Sequence, residues 1–258
     1  MFLAIDVGNT QTTIGLLDAQ TGSMQASWRM ATSADDTADE LLGRLHGFFA
    51  VRGLDLRTHV DSAGISCVVP SLIRAWRQAF GQLGLDDALF VSAACEHGLT
   101  IDMPNPRQLG ADRIANAVAA LDKYGAPVIV VDYGTATNID VVDARGAYRG
   151  GAIAPGLVLS ARALFARAAK LANTPLVAPA QALGYDTETA IQSGTVIGAA
   201  AMAEGLVRRI REEIDAPNAT CVATGGLAYV IAEATDLFDD IDQDITLRGI
   251  WLIWKRSR

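Results

Sequence analysis

The chain has 258 residues, half of them hydrophobic and 19% charged, with a formal net charge of −8. This is the profile of a folded globular protein, long enough for one large domain or two modest ones. No Lys/Arg block exceeds a pair, so a sequence-independent nucleic-acid binder, which needs a basic face, is disfavoured.

Three scattered cysteines (Cys67, Cys95, Cys221) match neither a disulfide framework nor a zinc cluster, and read as small buried hydrophobes in a reducing compartment. The first apolar run has no basic flank and meets Asp6 at once, unlike a signal peptide. No stretch approaches ~18 apolar residues. The expectation is a cytoplasmic protein with no membrane partner.

Residues 2–7 and 12–17 are short β-like runs around Gly8-Asn9-Thr10-Gln11, a hairpin pattern. Residues 35–50 carry Leu41, Leu42, Leu45, Phe48 and Phe49 at helical spacing, with Asp35, Asp36, Asp39 and Glu40 in the early turns. "AGISCVVP" reads as a buried strand, Pro70-Ser71 as the start of a helix to about Leu83, and "ALFVSA" as another strand. Leu109 to Lys123 predicts a helix with Ile114, Val118 and Leu121 on one face.

Then the pattern restarts. "PVIVVDYGTATNIDVVDARGAYRGGAI" is again an apolar strand ending in aspartate, a glycine turn and a second β run. Asp6-Val7-Gly8-Asn9-Thr10 and Asp132-Tyr133-Gly134-Thr135-Ala136 share D-x-G with a threonine nearby, about half the chain apart. A helix near 157–172, a long helix near 187–214, a strand at 219–223 and a helix after Gly226 complete the second round. The pattern predicts two similar α/β domains with a cleft between them, residues 1–118 and 119–258.

The first turn is neither a P-loop nor a dinucleotide fingerprint: no Gly-Lys-Ser/Thr follows, G-x-G-x-x-G is absent, and a strand rather than a helix comes next. What remains is a hairpin turn whose N–H groups and hydroxyls (Thr10, Thr12, Thr13) suit phosphate oxygens. A carboxylate beside polyphosphate repels it unless Mg²⁺ lies between, which gives Asp6 a role. A strand-end Asx-turn is the plainer reading of one such aspartate, and the second copy at Asp132 shifts the balance to function.

In "LGADRIANAV", Asp112 is either a helix N-cap or a general base, with Arg113 holding an anionic group. Thr224-Gly225-Gly226 suits either an adenosine or a plain β-to-α turn. His46, His59 and His97 lack metal-ligand spacing.

Together these stretches resemble the type III pantothenate kinases, members of the acetate and sugar kinase, heat-shock chaperone and actin superfamily. The matching segments are Asp6–Thr10, Gly110-Ala111-Asp112-Arg113, Asp132–Ala136, Gly150–Gly156, Ala190–Gly194 and Thr224–Gly226. The resemblance implies two duplicated actin-like (ribonuclease H-like) α/β domains, the first with one phosphate motif, the second with a second phosphate motif and the adenosine motif. It implies ATP-dependent phosphorylation of the 4′-hydroxyl of pantothenate, the first step of coenzyme A synthesis. It also implies a homodimer, Mg²⁺ with ATP, and a monovalent cation, K⁺ or NH₄⁺.

Carried over by position, Asp6, Val7, Gly8, Asn9, Thr10, Gln11, Thr12 and Thr13 embrace the ATP phosphates, and Asp112 accepts the hydroxyl proton. Asp132 binds the monovalent cation, Thr135 binds ATP, and Gly110, Ala111, Arg113 and Thr187 bind pantothenate. Met103 stands where the family usually has a tyrosine lining the pantothenate pocket; methionine fills space but offers no hydroxyl. Another small-molecule kinase of the superfamily, or a non-catalytic transcriptional accessory factor, are the alternatives. The intact Asp112 weighs against the latter.

Overall fold

A computed structural model describes residues 1–167 and 174–258. In chain order the elements are β1 (Phe2–Val7), β2 (Gln11–Leu17), β3 (Met24–Ala31), α1 (Ala38–Val51), α2 (Leu56–His59), β4 (Ser62–Cys67), α3 (Leu72–Gln82), β5 (Leu89–Phe90) and β6 (Thr100–Ile101). There follow α4 (Ala111–Tyr124), β7 (Val128–Tyr133), β8 (Ala136–Val142), β9 (Ala147–Pro155) and α5 (Leu157–Arg167). The chain ends with α6 (Thr187–Gln192), α7 (Gly198–Glu213), β10 (Thr220–Thr224), α8 (Ala228–Ala232), β11 (Asp240–Ile241) and α9 (Ile245–Arg256). The last part of the helix expected near 157–172 lies outside the described residues.

The chain divides into two compact units. One comprises Met1–Leu99, Pro104–Ala119 and Ile245–Arg258, the other Thr100–Met103 and Ala120–Asp244. The change of unit inside α4 falls beside the 118/119 boundary read from the sequence, while Thr100–Met103 and the C-terminal helix each lie with the other half of the chain.

Each unit holds one sheet, and the two sheets repeat one design. The first has strand order β3-β2-β1-β4-β5, the second β11-β10-β7-β8-β9-β6. In both, the opening three strands form an antiparallel meander, and the first of them pairs in parallel with a later strand: β1 with β4, β7 with β10. β6 at the sheet edge is the second unit's addition. Repetition of D-x-G in the sequence therefore corresponds to repetition of topology.

Burial explains the elements. In the first unit Leu3, Ile5, Val7, Ile14 and Leu16 point to one face of the sheet, where Leu41, Leu45 and Phe49 of α1 and Leu72, Trp76 and Phe80 of α3 meet them. Helix α1 begins later than the acidic run predicts: Thr37 caps it in a reciprocal pair with Glu40, and Asp36, just before the cap, is buried against Arg44. The other face is covered by α9, which the apolar run "IWLIW" hides from a periodicity reading. Glycines make room for it. A Cβ on Gly64 would stand 2.8 Å from Ile250, and one on Gly249 only 2.0 Å from the Ala115 carbonyl oxygen of α4.

In the second unit Ile129, Val131, Ile139 and Val141 pack against Val196, Ala200, Ala203 and Val207. These residues explain a departure from the sequence expectation. The continuous helix Thr187–Glu213, which contains a π turn at Ser193–Ile197, is long and apolar enough by length and composition to cross a bilayer. Its apolar stripe faces the sheet instead. The three cysteines are free; Cys221 is buried as expected, whereas Cys67 and Cys95 are half-buried.

Candidate active site

Asp6 is the last residue but one of β1, half-buried, in register with Thr13 of β2 and Ser66 of β4. The turn that follows closes when the Gly8 N–H donates to the Gln11 carbonyl at 3.0 Å, and Asn9, Thr10 and Gln11 are exposed on it. The threonines separate by strand alternation. Thr13 shares the face of Asp6. Thr12 pairs with Val7 on the opposite face, buried, its hydroxyl 2.8 Å from that of Thr32. The Val7 side chain is core.

Asp132 repeats this place in the second unit. It is the last residue but one of β7, in register with Asn138 and Thr224. The Gly134 N–H donates to the Ala136 carbonyl at 3.0 Å, leaving Thr135 exposed. The Thr224-Gly225-Gly226 turn packs directly on this aspartate. Gly225 has φ +90°, and a Cβ there would lie 2.5 Å from Asp132 Oδ1. Gly156 likewise lets the start of α5 approach the Thr135 carbonyl, where a Cβ would stand at 2.2 Å.

Asp112 is not a cap. Helix α4 starts at Ala111, so Asp112 lies within the first turn, where its Oδ1 accepts the Arg113 N–H at 2.8 Å. Gly110 has no side chain to block it: a Cβ there would fall 2.5 Å from the same oxygen. Burial pushes the Asp112 carboxyl above its ordinary value, against the lowering effects of the Arg113 N–H and the Arg113 charge. A carboxyl raised in this way holds a proton more readily than a free one.

The first unit thus holds Asp6, its turn, Gly110, Ala111, Asp112 and Arg113; the second holds Asp132, Thr135, Met103 and Thr187. Met103 is half-buried at the end of the Thr100–Met103 segment. Thr187 is exposed at the first position of α6, behind an Asp186–Thr189 capping pair. His97 accepts the Leu99 N–H, a structural use. Strand β3, which pairs with β2 beside the Gly8–Gln11 turn, was missed by sequence reasoning, although "MQASWRMA" alternates with period 2.

Among the described residues no three His, Cys, Asp or Glu side chains gather into a metal-binding group. The glycine-walled Asp132 carboxylate offers a hard oxygen ligand in a space that any Cβ at position 225 would fill.

A profile of the family described as type III pantothenate kinase matches residues 2–209. The chain belongs to the type III pantothenate kinase family. A relative from Roseiflexus castenholzii with that name is 44% identical over 258 residues, covering all of both chains. Among solved structures, a Baf family protein from Campylobacter jejuni superposes on this family member with TM-score 0.63 at 19% identity, covering 99% of this chain and 98% of the other. An inorganic polyphosphate/ATP-glucomannokinase from Arthrobacter gives TM-score 0.52 at 13% identity, with 99% and 98% covered. At these identities the structural likenesses speak to the fold alone, an actin-like fold of two α/β domains.

Proposed function

We infer that this kinase phosphorylates pantothenate with ATP to give 4′-phosphopantothenate, the step that opens coenzyme A synthesis. The observation that carries this reading is family membership over the whole chain together with two D-x-G turns set at the same place in two sheets of the same topology. The first unit supplies the first phosphate motif; the second supplies the second phosphate motif and the adenosine turn.

In the proposed reaction the exposed turn Gly8–Gln11 and Thr13 hold the ATP phosphates, Thr135 is a further ATP ligand, and Asp6 is the carboxylate that would hold Mg²⁺. When bound, Mg²⁺ neutralises charge on the phosphate oxygens. Asp112 takes the proton of the 4′-hydroxyl as its oxygen attacks the γ-phosphorus, the bond to the bridging oxygen breaks, and ADP leaves. Arg113, Gly110, Ala111, Thr187 and Met103 border the acceptor. Asp132 holds the monovalent cation, K⁺ or NH₄⁺. Phosphoryl transfer needs chiefly this positioning and charge neutralisation.

A homodimer fits the surface. Ile153 near the end of β9, Leu159 and Leu164 of α5, and Leu183 and Tyr185 just before α6 are exposed, Tyr185 by 80%; large apolar side chains left exposed are a usual mark of a self-association face. A cytoplasmic location follows from the substrates. The deciding experiment is a coupled assay of ADP release with ATP and pantothenate, with and without K⁺, beside a panel of other hydroxylated acceptors. Turnover on another acceptor and none on pantothenate would refute the assignment.

A further inference from the structure

The registers of the first sheet place four polar residues in one row: Ser66 of β4, Asp6 of β1, Thr13 of β2 and Arg29 of β3. Residues directly opposite one another on paired strands project to the same face, so all four point the same way. Exposure rises along the row. Ser66 is fully buried, Asp6 and Thr13 are half-buried, and Arg29 is exposed.

Two groups in this row have no side-chain partner among the described residues. The Ser66 hydroxyl is buried with no hydrogen-bond partner among them. Arg29 makes no hydrogen bond or ion pair with another described residue, whereas its neighbours Arg44 and Arg52 both bond within the unit. The second unit supplies the control. Its corresponding row reads Thr224, Asp132, Asn138 and Ile153. Hydroxyl, aspartate and polar group recur, but the end of the row is an apolar side chain. The sheet design therefore does not require a cation at that position, and only the unit with the three-residue phosphate turn carries one.

We propose that Arg29 is a phosphate ligand of the nucleotide site, gripping the phosphate chain from the side opposite Asp6. Strands lie ~4.8 Å apart, so Arg29 stands two strands, ~10 Å, from Asp6 with Thr13 between them. That is too far for a backbone-held ion pair and suited to holding the two ends of one polyphosphate. The guanidinium supplies direct attraction where Asp6 alone repels, and its planar fork matches phosphate oxygens. This assignment rests on the reading of the chain as an ATP-dependent kinase.

The test is equilibrium binding of a non-hydrolysable ATP analogue with Mg²⁺, and separately of adenosine, to wild type, Arg29→Gln and Arg29→Lys, with melting temperatures alongside. Loss of a charge-assisted contact weakens the triphosphate by roughly 10- to 100-fold. The expected result is that loss in Arg29→Gln, a smaller one in Arg29→Lys, a flatter salt dependence, and adenosine affinity and melting temperature unchanged. Wild-type triphosphate affinity in Arg29→Gln overturns the proposal. So does a parallel fall in adenosine affinity or a fall in melting temperature. If wild type binds the analogue but does not phosphorylate pantothenate, the acceptor is misassigned and the Arg29 result stands by itself; if wild type binds no ATP analogue, both readings fall.

Discussion

Asp6 and Asp132 occupy the same position in two sheets of matching order, each one residue before the end of a strand and each opposite a hydroxyl residue, Ser66 or Thr224, on the parallel neighbour. Equivalent position does not mean equivalent surroundings. Asp132 is walled by Gly225, whose φ of +90° carries the backbone against the carboxylate, while Asp6 shares its row with a threonine and an arginine. The two aspartates therefore stand in different local environments, one beside a hydroxyl and a cationic residue and one against glycine backbone.

Asp112→Asn separates base from scaffold. Turnover on pantothenate should fall ~10²–10⁴-fold, because the amide cannot take the proton. Stability should move the other way. Burial raises the Asp112 carboxyl from its ordinary 3.8, so ionising it costs folding free energy. That cost is absent below the unfolded value and grows as pH rises through the folded value. The mutant should melt at or above wild type at pH 7, with the gap closing near pH 3 to 4. A stable mutant with near-wild-type turnover would remove Asp112 from the chemistry.

The monovalent cation should matter through Asp132. Wild type should turn over with K⁺ or NH₄⁺ and lose most activity in Na⁺ alone, while Asp132→Asn should show little difference between the three. Full activity of wild type in Na⁺, with K⁺ and NH₄⁺ rigorously excluded, would remove that role.

Gly225→Ala tests the cradle. A side chain at that φ is strained, and its Cβ would meet both Asp132 Oδ1 at 2.5 Å and the Tyr133 backbone at 2.6 Å. The expected cost is roughly 2–4 kcal/mol, read from denaturant unfolding, with cation activation lost as well. Gly226→Ala is the control, since nothing lies within 4 Å of a Cβ there.

Thiol titration should find two slow cysteines. Burial pushes the Cys221 thiol up to about 12 and raises Cys67 as well, where the nearby Asp6 charge adds to the effect. Thiolate is the reactive form, so at pH 7 to 8 both should modify much more slowly than a free thiol and become fast on unfolding. Rapid labelling of Cys221 in the folded protein would contradict its burial.

Sedimentation should show a dimer, and Leu159→Glu or Leu183→Glu among the exposed apolar residues should shift it toward monomer. A wild-type monomer with full activity would refute the dimer.

The strand-turn-strand units were legible in the chain because each motif is local. A D-x-G after an apolar run specifies a strand and a tight turn within a few residues, and so the places of Asp6 and Asp132 and the repeated topology could be read directly. For Asp112 the sequence leaves a helix cap and a general base both open, since a cap and a first-turn residue differ by a single step that only backbone hydrogen bonding decides. The hairpin threonines looked interchangeable, until the pleat put Thr13 beside Asp6 and Thr12 in the core.

The sequence by itself determined the duplication, the two D-x-G turns and the family, all of which depend on short stretches whose geometry is set by neighbours in the chain. The tertiary structure alone decided which strand lies next to which. That pairing brought β3 beside the first turn and set Arg29 in line with Asp6, and it sent the C-terminal helix back to the first sheet through the notches at Gly64 and Gly249. Such relations join residues far apart in the chain by hydrogen-bond register and burial, which no local pattern records.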